Sequence, residues 1–416
     1  MRMGGRIAAG IEILEEIFTR HRPASEALKD WGKAHRFAGS GDRHTIGTLV
    51  YDALRKRNSL AFAIGSDAPR ALALATVLRE WKKPQEDLAG WATEPHGFAP
   101  LTEDETRALA ETRISGDAWI AGDYPQWLHP SLARVFYDKT AEEGAALAER
   151  APIDLRTNTL KTDRAQLIAA LAKFSAVEGP LSPWCVRIAA PGPNVKNPNV
   201  EAEPAHGLGW FEVQDAASQL ASQLTGIKPS ERVADICAGA GGKTLALAAM
   251  MNNNGKLYAY DMDKFRLRRI FERLGRSGAT VVDVIPSDEK AKLDALAGTL
   301  DCVIVDAPCS GSGTWRRKPD AKWRLTPKLL AQRIKDQEQV LEDGSKLIRA
   351  GGRIAYFTCS VLAEENSHQV KSFLARNPKF SLIPQTVASR EMDVVQLTPH
   401  QHGSDGFFAA IMRRNA

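Results

Sequence analysis

The chain has 416 residues, with 55 lysines and arginines against 50 acids, a formal charge of +5, 44% hydrophobic and 25% charged residues. Those values exclude a disordered or fibrous chain, and at roughly 150 residues per domain the length calls for two or three domains, each with its own core. Five cysteines without CxxC or metal-ligand spacing exclude a disulfide scaffold, and no apolar run approaches the ~18 residues of a spanning helix, which places the chain in a reducing cytoplasm.

Residues 1–145 carry helical apolar spacing, as in Ile11, Leu14, Ile17 and Phe18 and again in Ile46, Leu49, Val50 and Leu54, and predict an all-helical domain. Residues 146–212 change character. A strand over Asp154–Leu160, a helix over Asp163–Phe174 and a strand over Trp184–Ala190 make a small α+β insert. Pro191, Gly192, Pro193, Pro198 and Pro204 then interrupt the chain before Gly209–Val213. Residues 213–416 alternate short apolar strands with helices: Arg232–Cys237, Lys256–Tyr260, Ala279–Ile285, Asp301–Val305 and Arg353–Thr358. That pattern predicts an α/β domain, a Rossmann-like and mostly parallel sheet covered on both faces, with ligands at the carboxyl ends of its strands. Phe407–Met412 follows Pro399–Gly406 too closely for a crossover helix and is expected to close the sheet as an antiparallel strand.

The first strand runs into Asp235-Ile-Cys-Ala-Gly-Ala-Gly-Gly-Lys-Thr244, a turn rich in glycine that opens a helix and suits a nucleotide-like ligand. A phosphate-binding P-loop needs Gly where Cys237 stands, and a dinucleotide fingerprint needs Gly where Thr244 stands. S-adenosylmethionine fits better. It requires the Gly-rich turn for its methionine end and a carboxylate after the second strand for the ribose hydroxyls, which Asp261 supplies 18 residues after Lys243. Asp288, after the third strand, is placed to meet the adenine amino group.

Beyond the fourth strand come Asp306 and Cys309, and beyond the fifth Cys359, so neighbouring strand ends bring both thiols to the cofactor cleft. Such a pair matches methylation at carbon 5 of cytosine: a thiolate adding to carbon 6 activates the ring, and a second group takes the carbon 5 proton. Asp306 would face ring nitrogen 3 and the exocyclic amine. Each cysteine sits in a turn beside Ser at the sheet edge, where incomplete burial and helix dipoles lower a thiol pKa. Cys185, Cys302 and Cys237 are expected to have inert thiols.

Asp235–Thr244, Asp306-Ala-Pro-Cys-Ser-Gly311 and Thr358-Cys-Ser360 resemble motifs I, IV and VI of the RNA cytosine-5 methyltransferases of the Sun/Nop2 type. The resemblance runs from about Gln214 to Arg414 and takes in Gly313–Asp320, Glu364-Glu-Asn366 and Asp405–Phe408. It implies that Cys359 is the nucleophile, that Cys309 assists release, and that Cys237, Ala238, Gly239, Ala240, Gly241, Gly242, Lys243, Asp261, Asp288 and Asp306 contact S-adenosylmethionine. Ala240 stands where the family has proline, which predicts a less rigid turn. More loosely, Gly41-Asp-Arg43 and Leu49–Arg55 resemble the NusB-like RNA-binding domain that precedes the catalytic domain in the bacterial small-subunit ribosomal RNA enzymes.

Charge distribution points to RNA as partner. Between Trp315 and Arg324 five basic residues are interleaved with two tryptophans, so Arg316, Arg317 and Lys318 are expected to hold phosphates and Trp323 to stack a base. A second basic run, Lys264–Arg276, is expected to be a solvated helix face. No third ligand accompanies His400 and His402, so no metal is assigned. Together these features predict a monomeric cytoplasmic methyltransferase acting on ribosomal RNA. Transfer RNA is the alternative substrate, and a non-catalytic RNA-binding or assembly factor with the same fold is the alternative function.

Overall fold

The computed structural model describes residues 1–111, 113, 115–192 and 195–416, so Pro193 lies outside the described residues. The chain forms two compact units: Met1–Arg150 with Pro191–Asn197 and Trp315–Leu325, and Ala151–Ala190 with Pro198–Thr314 and Thr326–Ala416. The α+β stretch therefore packs in one unit with the large sheet, and the basic segment 315–325 belongs to the helical unit.

The helical unit is built on Met3–Arg20, Ser40–Arg55 and Arg57–Ile64, whose apolar stripes bury Ile7, Ile13, Leu14, Ile17, Ile46, Leu49, Val50 and Leu54 in one core. The helix Pro319–Arg324 contributes to the same unit from far along the chain. Its Lys322 is 1% exposed, and its ammonium donates to the carbonyl oxygens of Arg55 (2.8 Å) and Asp123 (2.5 Å). Two main-chain turns are thereby tied by one buried cation.

Among the described residues the second unit holds a small sheet, a large one and a two-stranded hairpin. In the smaller, β1 (Ile153–Thr157), β2 (Val177–Glu178), β3 (Cys185–Ile188) and β4 (Phe211–Val213) run in the order β2-β3-β1-β4, all antiparallel. The larger comprises β5 (Arg232–Asp235), β6 (Lys256–Ala259), β7 (Val282–Val284), β8 (Leu300–Asp306) and β9 (Ile348–Thr358), mutually parallel in the order β9-β8-β5-β6-β7. After β10 (Phe380–Leu382), the hairpin of β11 (Gln385–Val387) and β12 (Arg390–Met392), and β13 (Val395–Leu397), the last strand β14 (Phe407–Arg414) pairs antiparallel with β9. The expected antiparallel closing strand is there.

Side-chain alternation divides the core. Val233, Cys302, Ile304, Ala355, Phe357 and Ile411 face the helices Ala216–Leu224 and Gly242–Met250, while Ala234, Val303, Val305, Ile354, Tyr356 and Met412 face Pro327–Leu347 and Ser367–Arg376. Both faces being covered, ligands have access at the strand ends, where the β5, β6, β8 and β9 turns carry the candidate site.

Burial pushes the Lys322 amine down to about 7 from an ordinary 10.5. Between those values the unfolded chain binds more protons than the folded one, so this lysine makes stability rise as pH increases from 7 toward 10.5. Lys322→Met should remove that contribution; denaturant midpoints of the full chain at pH 7 and 9 would rise less in the variant than in the parent, and equal rises would contradict the assignment.

Candidate active site

After β5 the backbone enters left-handed conformations at Gly239 (φ 55°) and Gly241 (φ 86°), and a β-carbon on Gly241 would lie 2.5 Å from Ile270 Cγ1. Gly241 precedes the helix Gly242–Met250, whose first turn has no side-chain cap. Asp261 anchors the turn: its carboxylate accepts the Gly239 N–H (2.8 Å) and the Asp263 N–H (2.8 Å). Beneath it the Asp235 carboxylate accepts the Thr244 hydroxyl (2.8 Å), and burial pushes its pKa up to about 7. The loop bearing Asp288 is tied to the same place, because Ser287 donates to the Asp261 carbonyl (2.8 Å); Asp288 itself is exposed.

Ala240 does not leave the turn loose. Arg273 donates to the Ala240 carbonyl (2.7 Å) and is held by Glu212, which also receives Arg276 (2.6 Å). Buried Arg156, on β1, donates to the Gly242 carbonyl (2.6 Å) and to Gln214 (2.6 Å). Two guanidinium groups thus hold the carbonyls of a turn that lacks the stiffening of proline. Arg156, Glu212 and Arg273 did not emerge from the sequence, since the contacts that join them to the turn end on backbone carbonyls and their side-chain partners lie far away in the chain or carry no motif.

The thiols of Cys309, after β8, and Cys359, after β9, lie 3.4 Å apart. Cys309 is pushed well above the ordinary thiol range by its hydrogen bond to Cys359, by burial, and by the charges of Cys359 and Glu365. The expected lowering does not prevail at Cys309, because the pull of the Gly311 N–H is outweighed by Cys359, burial and Glu365. Alongside, Lys243 is 7% exposed and donates to Asp306 Oδ2 (2.7 Å) and to Ser218 (3.1 Å), so its ammonium is directed at the Asp306 carboxylate. Burial and the carboxylates of Asp235, Asp306 and Asp261 push the Cys237 thiol far up, and burial takes Cys185 and Cys302 to about 12. None of these three carries appreciable thiolate at neutral pH.

A family model described as 16S rRNA methyltransferase RsmB/F matches residues 223–413, and a ferredoxin-like domain model of the same group matches residues 124–195. The ribosomal RNA small subunit methyltransferase B of Klebsiella pneumoniae (strain 342) is 33% identical over 345 residues, spanning 82% of this chain and 72% of that protein. The chain belongs to the RsmB/F methyltransferase family. The protein of the same name from Vibrio vulnificus is 32% identical over 75% of this chain and 71% of its own length. A solved methyltransferase homolog protein from Pyrococcus horikoshii superimposes with a TM-score of 0.61 at 25% identity, covering 72% of this chain and 100% of that one. As an RsmB/F member of the Sun/Nop2 type, the chain is an RNA methyltransferase, and its cofactor is S-adenosylmethionine. The helix start at Gly242, which has no side-chain cap, and the acids at Asp261 and Asp288 suit the carboxylate, ribose and adenine of that cofactor.

In this RsmB/F chain the expected RNA contacts divide. Trp323 is half-buried: its indole N–H donates to the Leu54 carbonyl (2.6 Å), its ring packs against the helical core, and the Arg57 guanidinium lies 5.2 Å from the ring centroid. Arg316 is buried, 6% exposed, and its carbonyl accepts from Arg55 (2.6 Å). Arg317 and Lys318 are exposed. The run 264–276 carries exposed Lys264, Arg266, Arg268 and Arg269 with exposed Phe265 and Phe271, and it flanks a cavity of about 690 Å³ lined by Ala240, Arg268, Arg273 and Arg276.

Two outcomes are expected. Arg273→Ala should weaken S-adenosylmethionine binding about tenfold by freeing the Ala240 carbonyl, one charged hydrogen bond being worth roughly 1.5–3 kcal/mol; calorimetric titration checks it, and unchanged affinity refutes the brace. Trp323→Ala should cost about 3 kcal/mol of stability by opening the helical core, while the protein that remains folded keeps its RNA affinity.

Proposed function

We propose that this RsmB/F methyltransferase forms 5-methylcytosine in small-subunit ribosomal RNA through a covalent bond between Cys359 and carbon 6 of the base. The observation that carries the reading is the contact of the two thiols at 3.4 Å, with Cys309 pushed up. Two sulfurs this close cannot both be anionic without strong repulsion, and Cys309, which faces Glu365, is the one held protonated. The other sulfur, Cys359, is the one left to attack.

S-adenosylmethionine supplies an electrophilic methyl group for carbon 5, and Gly239, Gly241, Gly242, Asp261 and Asp288 are the residues to hold it. Cys359 adds to carbon 6 and becomes a neutral thioether. The negative charge that kept the proton on Cys309 is then gone, and Cys309 can release that proton to water. As a thiolate it takes the carbon 5 proton, after which the carbon 6–sulfur bond breaks and Cys359 leaves with the electron pair. Asp306, one-third exposed while Lys243 covers Oδ2, accepts the exocyclic amine of the cytosine and orients the ring.

The cytosine must be unstacked for this attack, and basic side chains must hold the flanking phosphates. Exposed Arg317 and Lys318 serve that role, together with Lys264, Arg266, Arg268 and Arg269. Ribosomal RNA is favoured over transfer RNA by the names of the relatives, which are small-subunit enzymes.

Cys359→Ala should abolish methyl transfer to small-subunit ribosomal RNA. Cys309→Ala should accumulate a protein–RNA adduct that survives denaturing electrophoresis. Labelled methyl transfer followed by mapping of 5-methylcytosine checks both. Activity retained in Cys359→Ala and lost in Cys309→Ala would exchange the two roles, and product at a position other than carbon 5 would refute the reading.

A further inference from the structure

Four uncharged groups converge on one buried carboxylate behind the two cysteines. Glu365 is 0% exposed. Its Oε1 accepts the Ser310 backbone N–H (2.7 Å) and the Gln337 side-chain amide (3.0 Å), and its Oε2 accepts the hydroxyls of Ser310 (2.5 Å) and Ser360 (2.5 Å). Ser310 directly follows Cys309 and Ser360 directly follows Cys359. One side chain therefore holds the two turns, which end different strands, through the residue next to each thiol. Gly313 N–H donating to the Cys359 carbonyl (3.0 Å), and the Ser312 and Ser360 hydroxyls at 2.9 Å, add to the same seam.

Burying a carboxylate among neutral donors is costly, and for packing alone a neutral side chain of the same shape would serve at less cost. Glutamine does not substitute here: both carboxylate oxygens face donors, so whichever one became an NH₂ group would confront N–H or O–H. Only an anion satisfies both turns. That anion also faces Cys309, together with Cys359, and the Tyr356 hydroxyl donates to the Glu365 carbonyl (2.6 Å) from the same side.

We propose that Glu365 is the positioning residue of the cysteine pair: its buried carboxylate fastens the Cys309 and Cys359 turns at contact distance and sets the charge that faces Cys309. Touching neither base nor cofactor, it acts through the sulfurs. The assignment of chemical roles rests on the reaction proposed above, but the distribution of the proton can be read without any RNA.

The test compares Glu365→Gln and Glu365→Asp with the parent full-length protein. Time-resolved alkylation by iodoacetamide across pH 6–10, with each cysteine quantified by peptide mass spectrometry, follows the two thiols separately. Cys309 should alkylate late in the parent and at clearly lower pH in Glu365→Gln, because the anion facing it is gone, whereas Glu365→Asp keeps the charge and stays near the parent profile. In turnover, Glu365→Gln should lose about 10- to 100-fold in kcat, the scale for small misplacement of a reacting group, with KM for S-adenosylmethionine within about twofold and the aspartate partly restoring kcat. An unchanged Cys309 profile together with parental kcat overturns the proposal. Should Glu365→Gln fail to fold, the double variant Ser310→Ala/Ser360→Ala removes two donors and leaves the charge; it must lose kcat similarly, and parental kcat there overturns the proposal. If the parent methylates no cytosine, the reaction assignment falls, while the alkylation profiles still decide the role of Glu365.

Discussion

Two sulfurs in contact cannot readily carry two negative charges. With Cys309 and Cys359 at 3.4 Å, ionising the second thiol means placing a like charge against the first in a partly buried site, and the nearby Glu365 carboxylate makes this harder still. In the reaction proposed above, which sulfur attacks is a property of the surroundings: once Cys359 is bonded to a base, the electrostatics that withheld Cys309 would let it act as a base. On that proposal a nucleophile and a proton acceptor come from identical side chains, separated by sequence of events instead of by residue type.

The sheet is what makes such proximity affordable in a chain where the two cysteines are fifty residues apart. β8 and β9 are parallel neighbours, paired from Cys302–Arg353 to Asp306–Phe357, so the turns that follow them start side by side. Strand adjacency alone places the turns within several ångströms; closing the remaining gap falls to polar groups. Glu365, Ser310, Ser312 and Ser360 do this from beneath, and Asn366 shapes the β9 turn itself by donating to the Ser360 carbonyl (2.9 Å) while accepting the Thr358 hydroxyl (2.5 Å). Apolar packing of Tyr356 and Phe357 in opposite layers fixes the end of β9, and the hydrogen bonds fix what emerges from it.

Much of this was legible in the order of residues because the chemistry sits where strands end. The alternation of apolar strands and helices, the Gly-rich turn, the acid after β6 and two Cys-Ser dipeptides are local patterns, and each of those turns emerges from the strand end expected of it. Other features were not legible because they depend on distant partners. Trp315–Leu325 reads as a basic aromatic loop, yet Lys322 reaches the carbonyls of residues 55 and 123 and Trp323 that of residue 54, contacts over roughly two hundred residues or more that no local pattern encodes. Lys243 belongs to the Gly-rich motif by position but is spent on Asp306, a pairing set by the sheet order β8-β5. The repeated Cys-Ser was the one visible sign of the Glu365 clamp, and it needed the acid in Glu364-Glu-Asn366 to give it meaning.

The cofactor turn illustrates how one substitution is absorbed by long-range chemistry. Proline stiffens a turn by removing backbone freedom from the unfolded and folded chain alike. With Ala240 in its place, the conformation has to be specified from outside, and the two arginines do so from different origins: Arg273 lies on the helix after β6, and Arg156 on β1 of the small sheet. Glu212, on β4, holds Arg273 in turn. The small sheet is thus mechanically connected to the carbonyls at both ends of the Ala240–Gly242 segment, where a proline would have acted alone.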